Sequence, residues 1–133
     1  MNRALGILVL RLAFGFQLVK VSFDYAFHPA TKMPEFAAYL QSLGFLLPTL
    51  PGAYLSTYTE FIGGILWLLG FQTRLASVFL IVNFSIALGM AHLNINDSYQ
   101  NTMPSLNLIA VAIFLLLNGP GRYSIDEQFG KMR

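Results

Sequence analysis

The residues best able to do chemistry in this chain are few, and they sit in apolar surroundings. Glu60 lies within TYTEFIGGILWLLGFQTR, inside an apolar run over residues 53–71. At about 1.5 Å per residue that run is long enough to cross a bilayer. A carboxylate at such depth costs on the order of a few kcal/mol unless it is paired or protonated. Ser56 and Thr57 before it, and Gly63, Gly64 and Trp67 after it, share its face at helical spacing. The paired glycines let a neighbouring helix approach closely. Glu60 is therefore expected to point into a helix bundle, where something must compensate it.

Three other apolar runs each contribute one strongly polar side chain: Arg11, Asn83 and Asn107. Counted from the cytoplasmic end of each run, Arg11 lies at roughly 10 Å, Asn83 at roughly 14 Å, and Glu60 and Asn107 at roughly 16 Å. The simplest bundle pairs Arg11 with Glu60 and lets Asn83 and Asn107 take the remaining donors and acceptors. Gln17 either joins this stripe or decorates its helix. Two readings of the layer stay open. It is a structural clamp that fixes register, or it floors a cavity for a polar headgroup, a quinone or a proton.

A second polar group lies toward the outer face: Asp24 and His28, with His92 and Asp97 further along the chain. Imidazole and carboxylate are metal-ligand types. No HxxxH or ExxH spacing is present, so no metal is expected and interfacial polarity is the simpler reading. A pH-sensitive or quinone-contacting histidine is the alternative.

The elements that must position these residues follow from composition. The chain is 56% hydrophobic and 11% charged, against roughly a quarter charged in soluble domains. That is an integral membrane protein, and its length fits a single domain, residues 1–133. It has no cysteine, which excludes disulfides, thiol relays and thiolate metal sites. A net charge of +2 gives no reason to expect a nucleic-acid partner. The fold class is all-α: a four-transmembrane-helix bundle with spans at about 4–23, 53–71, 74–93 and 102–118. Arg3 before an apolar run resembles a signal peptide, but Arg11 interrupts the apolar core, so a retained helix is expected. A short interfacial helix is expected in the first loop, starting near Thr31–Pro34 and closed by Gly44. Ser124-Ile-Asp-Glu127 has capping-box spacing and predicts a short C-terminal tail helix. Arg3, Arg74, Arg122, Lys131 and Arg133 fall on one side of such a bundle, with Lys20 and Lys32 on the other, which predicts both termini in the cytoplasm.

Several of these segments also match a known pattern. Arg11-Leu-Ala-Phe-Gly15, Glu60-Phe-Ile-Gly-Gly64, Leu69-Gly70, Thr73-Arg74-Leu-Ala76 and Asn118-Gly-Pro-Gly-Arg122-Tyr-Ser124-Ile-Asp126 resemble the DoxX family. The resemblance covers nearly the whole chain. It implies a small, four-helix, multi-pass protein of the bacterial inner membrane, of a family whose name is shared with a subunit of an archaeal thiosulfate:quinone oxidoreductase. Relatives are associated with membrane redox systems, often as accessory partners. The family pattern carries an acid early in the fourth span, where this chain reads Met103-Pro-Ser-Leu-Asn107. Asn107 keeps a hydrogen bond there and not a charge.

The function expected from these readings is a redox accessory that binds a quinone or similar amphiphile at Arg11 and Glu60, with Trp67 along its tail. The alternative is a non-catalytic assembly partner of another membrane or peripheral protein, using Gly63 and Gly64 as contact surfaces. A more distant alternative is a carrier, which needs a homo-oligomer of so small a chain.

Overall fold

The first apolar run forms one unbroken helix, α1 (Asn2–Phe27). At about 1.5 Å per residue it is longer than the roughly 30 Å of a hydrocarbon core. The structure, a computed structural model, describes residues 2–93 and 98–132. Pro29 sets the end of α1, because the residue before a proline is driven out of helical geometry. His28 accordingly has φ −129° and ψ 55°. Pro29 then opens α2 (Pro29–Ser42), where a missing N–H costs nothing. The helix thus starts before Thr31, and Pro34 lies inside it. Gly44 follows its end at φ 77°.

The next helix, α3 (Thr49–Leu69), ends on Gly70 in the left-handed conformation. Gly70 N–H donates to the Trp67 carbonyl at 3.2 Å and Phe71 N–H to the Leu66 carbonyl at 3.0 Å. This pair of bonds is a Schellman closure. After so short a link α4 (Thr73–Ile86) must run back beside α3, and it passes directly into a π-helical segment, Ala87–Leu93. Ser98 caps α5 (Tyr99–Asn118), its hydroxyl accepting from Asn101 N–H. The chain ends in α6 (Ile125–Met132), preceded by Ser124, whose hydroxyl accepts from Glu127 N–H at 3.2 Å.

α1 packs most extensively on α3, α4 packs on α5, and α3 joins the two pairs. The α1–α3 crossing is close because both sides offer glycine. A Cβ placed on Gly64 would lie 2.9 Å from the Gly15 carbonyl oxygen. A Cβ on Gly63 would lie 3.0 Å from Leu80 of α4. The paired glycines therefore serve packing within the chain, one toward each neighbour, which corrects their expected use as surfaces for a partner. Trp67, Leu18, Leu80, Ala112 and Leu115 fill the centre. α2 lies on α3 through Met33, Ala37 and Ala53, and Tyr58 donates to the Ala26 carbonyl at 2.8 Å.

The outside of the bundle is apolar. Phe16, Val21, Leu55, Ile62, Phe79 and Leu117 are all exposed, the arrangement lipid requires and water penalises. Three helical stretches among the described residues are long and apolar enough to cross a membrane: Asn2–Phe27, Thr73–Met90 and Tyr99–Asn118. α3 is equally long, at 21 residues. Its mean hydropathy is lowered by Ser56, Thr57, Tyr58, Thr59 and Glu60, the residues that make it interesting.

Candidate functional site

Arg11 is fully buried on the inner face of α1, but its partners are main-chain carbonyls. Nε donates to Trp67 O at 2.9 Å and Nη2 to Leu68 O at 3.2 Å. Nη1 donates to Pro120 O at 3.0 Å and Tyr123 O at 2.7 Å. The last carbonyls of α3 carry the negative end of its dipole, and Trp67 O has a second lone pair beyond the one that accepts from Gly70 N–H. They satisfy the guanidinium from a neighbouring helix, and Asp126 adds charge compensation. Gly70 is required at this point. A Cβ there would come within 2.5 Å of Arg11 Nη2 and of Ser124.

The expected Arg11–Glu60 pair therefore does not form. Trp67 and Leu68 lie two helical turns beyond Glu60, roughly 10 Å along the axis. Depth estimates placed the two charges within one side chain's reach. The carbonyl cluster at the end of α3 lies closer to Arg11 and supplies several acceptors together.

Glu60 has a different partner. It is half-buried on the seam between α3 and α4, and Asn83 Nδ2 donates to its Oε1 at 3.1 Å. Ser56 lies one turn earlier on α3, on the same side as the carboxylate. The contact belongs to an antiparallel ladder in which Glu60 meets Asn83, Gly63 meets Leu80, and Trp67 meets Ser77. In the last of these the Trp67 indole Nε1–H donates to Ser77 Oγ at 3.1 Å, and Ser77 donates on to Thr73 O at 2.8 Å. Trp67 is wholly buried. It is a core residue locked by its own hydrogen bond.

Asn107 and Gln17 stand apart from this cluster. Both are exposed, Asn107 on α5 and Gln17 on α1. The buried stripe of α5 is Thr102, Ser105, Leu108, Val111, Ala112 and Leu115, which turns Asn107 outward. The four expected members of one polar layer thus separate into a clamp at Arg11, a paired site at Glu60 and Asn83, and an outward-facing Asn107. Neither the relative depth of Arg11 and Glu60 nor the rotation of α5 about its axis was legible in the residue spacing.

A shallow apolar groove of about 250 Å³ runs along the same α3–α4 seam. Tyr58, Thr59, Ile62, Gly63 and Leu66 line it from α3, and Ala76 and Phe79 from α4. One turn past Asn83, α4 gives way to the π-helical segment. Such segments widen a helix and occur often at functional sites.

Of the outer group, Asp24 and His28 are exposed. The side chain of His92, and Asp97 altogether, lie outside the described residues. Among the described residues no three of His, Cys, Asp and Glu come together.

One residue escaped the sequence reading. The Asp126 carboxylate accepts from Gln72 N–H at 2.8 Å and Thr73 N–H at 3.0 Å, capping α4 from the far end of the chain. Asp126 N–H in turn donates to Gly70 O at 2.9 Å. The available signal was an acid within the short motif Ser124-Ile-Asp-Glu127; the structure adds that Gln72, at φ 49°, offers α4 no side-chain cap of its own.

No curated protein and no solved structure matches the chain. The DoxX family model matches residues 6–93, a span that includes Arg11, Glu60 and Asn83. On that match, which takes in most of the bundle including the clamp donor and the paired site, the chain is a membrane protein of the DoxX family.

Proposed function

We propose that this chain is a four-span protein of the bacterial inner membrane, with both termini cytoplasmic, that acts as an accessory subunit of a membrane redox system. It holds the headgroup of a quinone or similar amphiphile against Glu60 and Asn83. The single observation that carries this reading is the half-buried carboxylate of Glu60, bonded to Asn83 on the α3–α4 seam and incompletely covered by protein. A polar group at that depth in a membrane is retained for a pathway or a ligand far more often than by accident. The chemistry suits both forms of a quinone. A quinone carbonyl accepts from the second N–H of Asn83, and a quinol hydroxyl donates to the carboxylate. The apolar groove between the same two helices, lined by Ile62, Gly63, Leu66 and Phe79 among others, gives an isoprenoid chain a surface to lie on. α3 counts as the fourth span because its polar residues face α2, α4 and this site while Leu55, Ile62 and Leu69 face outward.

The test is retention. Protein extracted into lipid nanodiscs retains quinone in the wild type and loses it in Glu60→Gln. Wild-type protein free of quinone, and unable to take it up, overturns the reading.

The second reading, a non-catalytic assembly partner, is favoured by Arg11. Four of its N–H donors hold main-chain carbonyls, so a fully buried charge is spent on architecture. Under this reading Glu60→Gln changes complex assembly and leaves amphiphile content as it was.

A further inference from the structure

α1 and α5 barely touch, and they leave a groove of about 640 Å³ at the end of the bundle that carries the chain termini. Leu5, Gly6, Val9, Leu10 and Phe114 line it, with Arg3 at its mouth. Gly6 borders open space, since a Cβ there would meet nothing within 4 Å.

The mouth is built. Asn118 Nδ2 donates to Phe114 O at 2.9 Å, which fixes the amide, and the amide oxygen accepts from Arg3 Nη2 at 2.7 Å. That leaves most of the Arg3 donors directed elsewhere. The guanidinium of Arg74 lies against the next residue, Gly119, 3.0 Å from where a Cβ would stand. Two guanidinium groups thus flank the Asn118–Gly119 turn, and neither forms an ion pair with a described residue.

We infer that this groove is a binding site for an anionic phospholipid. One acyl chain lies along Gly6, Leu10 and Phe114, and the phosphate is held by Arg3 with Arg74 beside it. Paired basic residues above an apolar inter-helix groove select a charged headgroup over a zwitterionic one. The site is on the opposite side of α1 from its α3-facing stripe, so it is independent of the Glu60–Asn83 reading.

Native mass spectrometry of the full chain, released from micelles containing equal phosphatidylglycerol and phosphatidylethanolamine, tests it. The wild type is expected to retain phosphatidylglycerol in preference. Arg3→Gln is expected to lower that preference about five-fold, the worth of one basic residue against an anionic surface. Asn118→Asp, which neutralises Arg3 in place, is expected to act in the same direction. Gly6→Leu is expected to reduce retention of both lipids by filling the groove. Lys20→Gln, which removes a charge at the far end of α1, is expected to change nothing. Equal retention of the two lipids by the wild type, or an equal loss in Lys20→Gln and Arg3→Gln, overturns the inference. So does a second copy of the chain bound in place of lipid.

Discussion

An arginine with several carbonyl partners behaves differently from one paired with a carboxylate. Arg11 donates to Trp67, Leu68, Pro120 and Tyr123, so it ties α1, the end of α3 and the final turn into one knot. Removing it takes a donor from the partly buried carbonyls of Leu68, Pro120 and Tyr123, each loss costing about 1–3 kcal/mol, while Trp67 O keeps its bond from Gly70 N–H. Arg11→Gln is therefore predicted to lower stability by at least about 3 kcal/mol, measured by thermal unfolding in detergent. Glu60→Gln keeps an oxygen for Asn83 Nδ2 and is predicted to change stability by no more than about 1 kcal/mol. The two variants separate the residues that the sequence alone had joined. Backbone acceptors leave no trace in residue identity, so the true partner of Arg11 was not legible. That an acid and a guanidinium in apolar runs must each find partners was.

At the scale of elements, the helices were largely legible and their rotations were not. Apolar runs announced α1, α4 and α5, and the run read as residues 53–71 announced α3, which extends from Thr49 to Leu69. α5 is apolar around most of its circumference, so its pattern does not say which face is buried, and Asn107 was placed inward when it faces out. Nothing in the residues of the segment Ala87–Leu93 signals a change of helical pitch. The α1–α3 crossing rests on Gly15 and Gly64, where added methyl groups collide with backbone. Gly64→Ala is predicted to cost about 1–3 kcal/mol through forced separation of the helices, seen as a lowered unfolding temperature. The cap that Asp126 provides to α4 is predicted to be worth about 1 kcal/mol. Asp126→Ala should lose it, and hydrogen exchange at Thr73 and its neighbours should rise while exchange in α1 stays unchanged.

For the whole molecule, composition alone placed the chain in a membrane, and the outward apolar surface agrees with it. Span number and orientation are tested separately from the site. The chain has no cysteine, so single cysteines report position without background. Leu47→Cys, in the exposed link before α3, is predicted to react with an impermeant maleimide from outside intact cells. Tyr123→Cys is predicted to react only after the cells are opened. Labelling of both from the same side would remove α3 from the spans and reverse the placement of the last loop.

We propose that Glu60 and Asn83 form a ligand site while Arg11 holds the bundle together. It is tested most directly by quinone content per protein in lipid nanodiscs, with unfolding temperature measured on the same samples. Stoichiometric quinone is expected in the wild type, and its loss in Glu60→Gln and Asn83→Leu, with an unchanged unfolding temperature for Glu60→Gln. Glu60→Gln protein that keeps the wild-type quinone content, or a wild type that holds none, would contradict it.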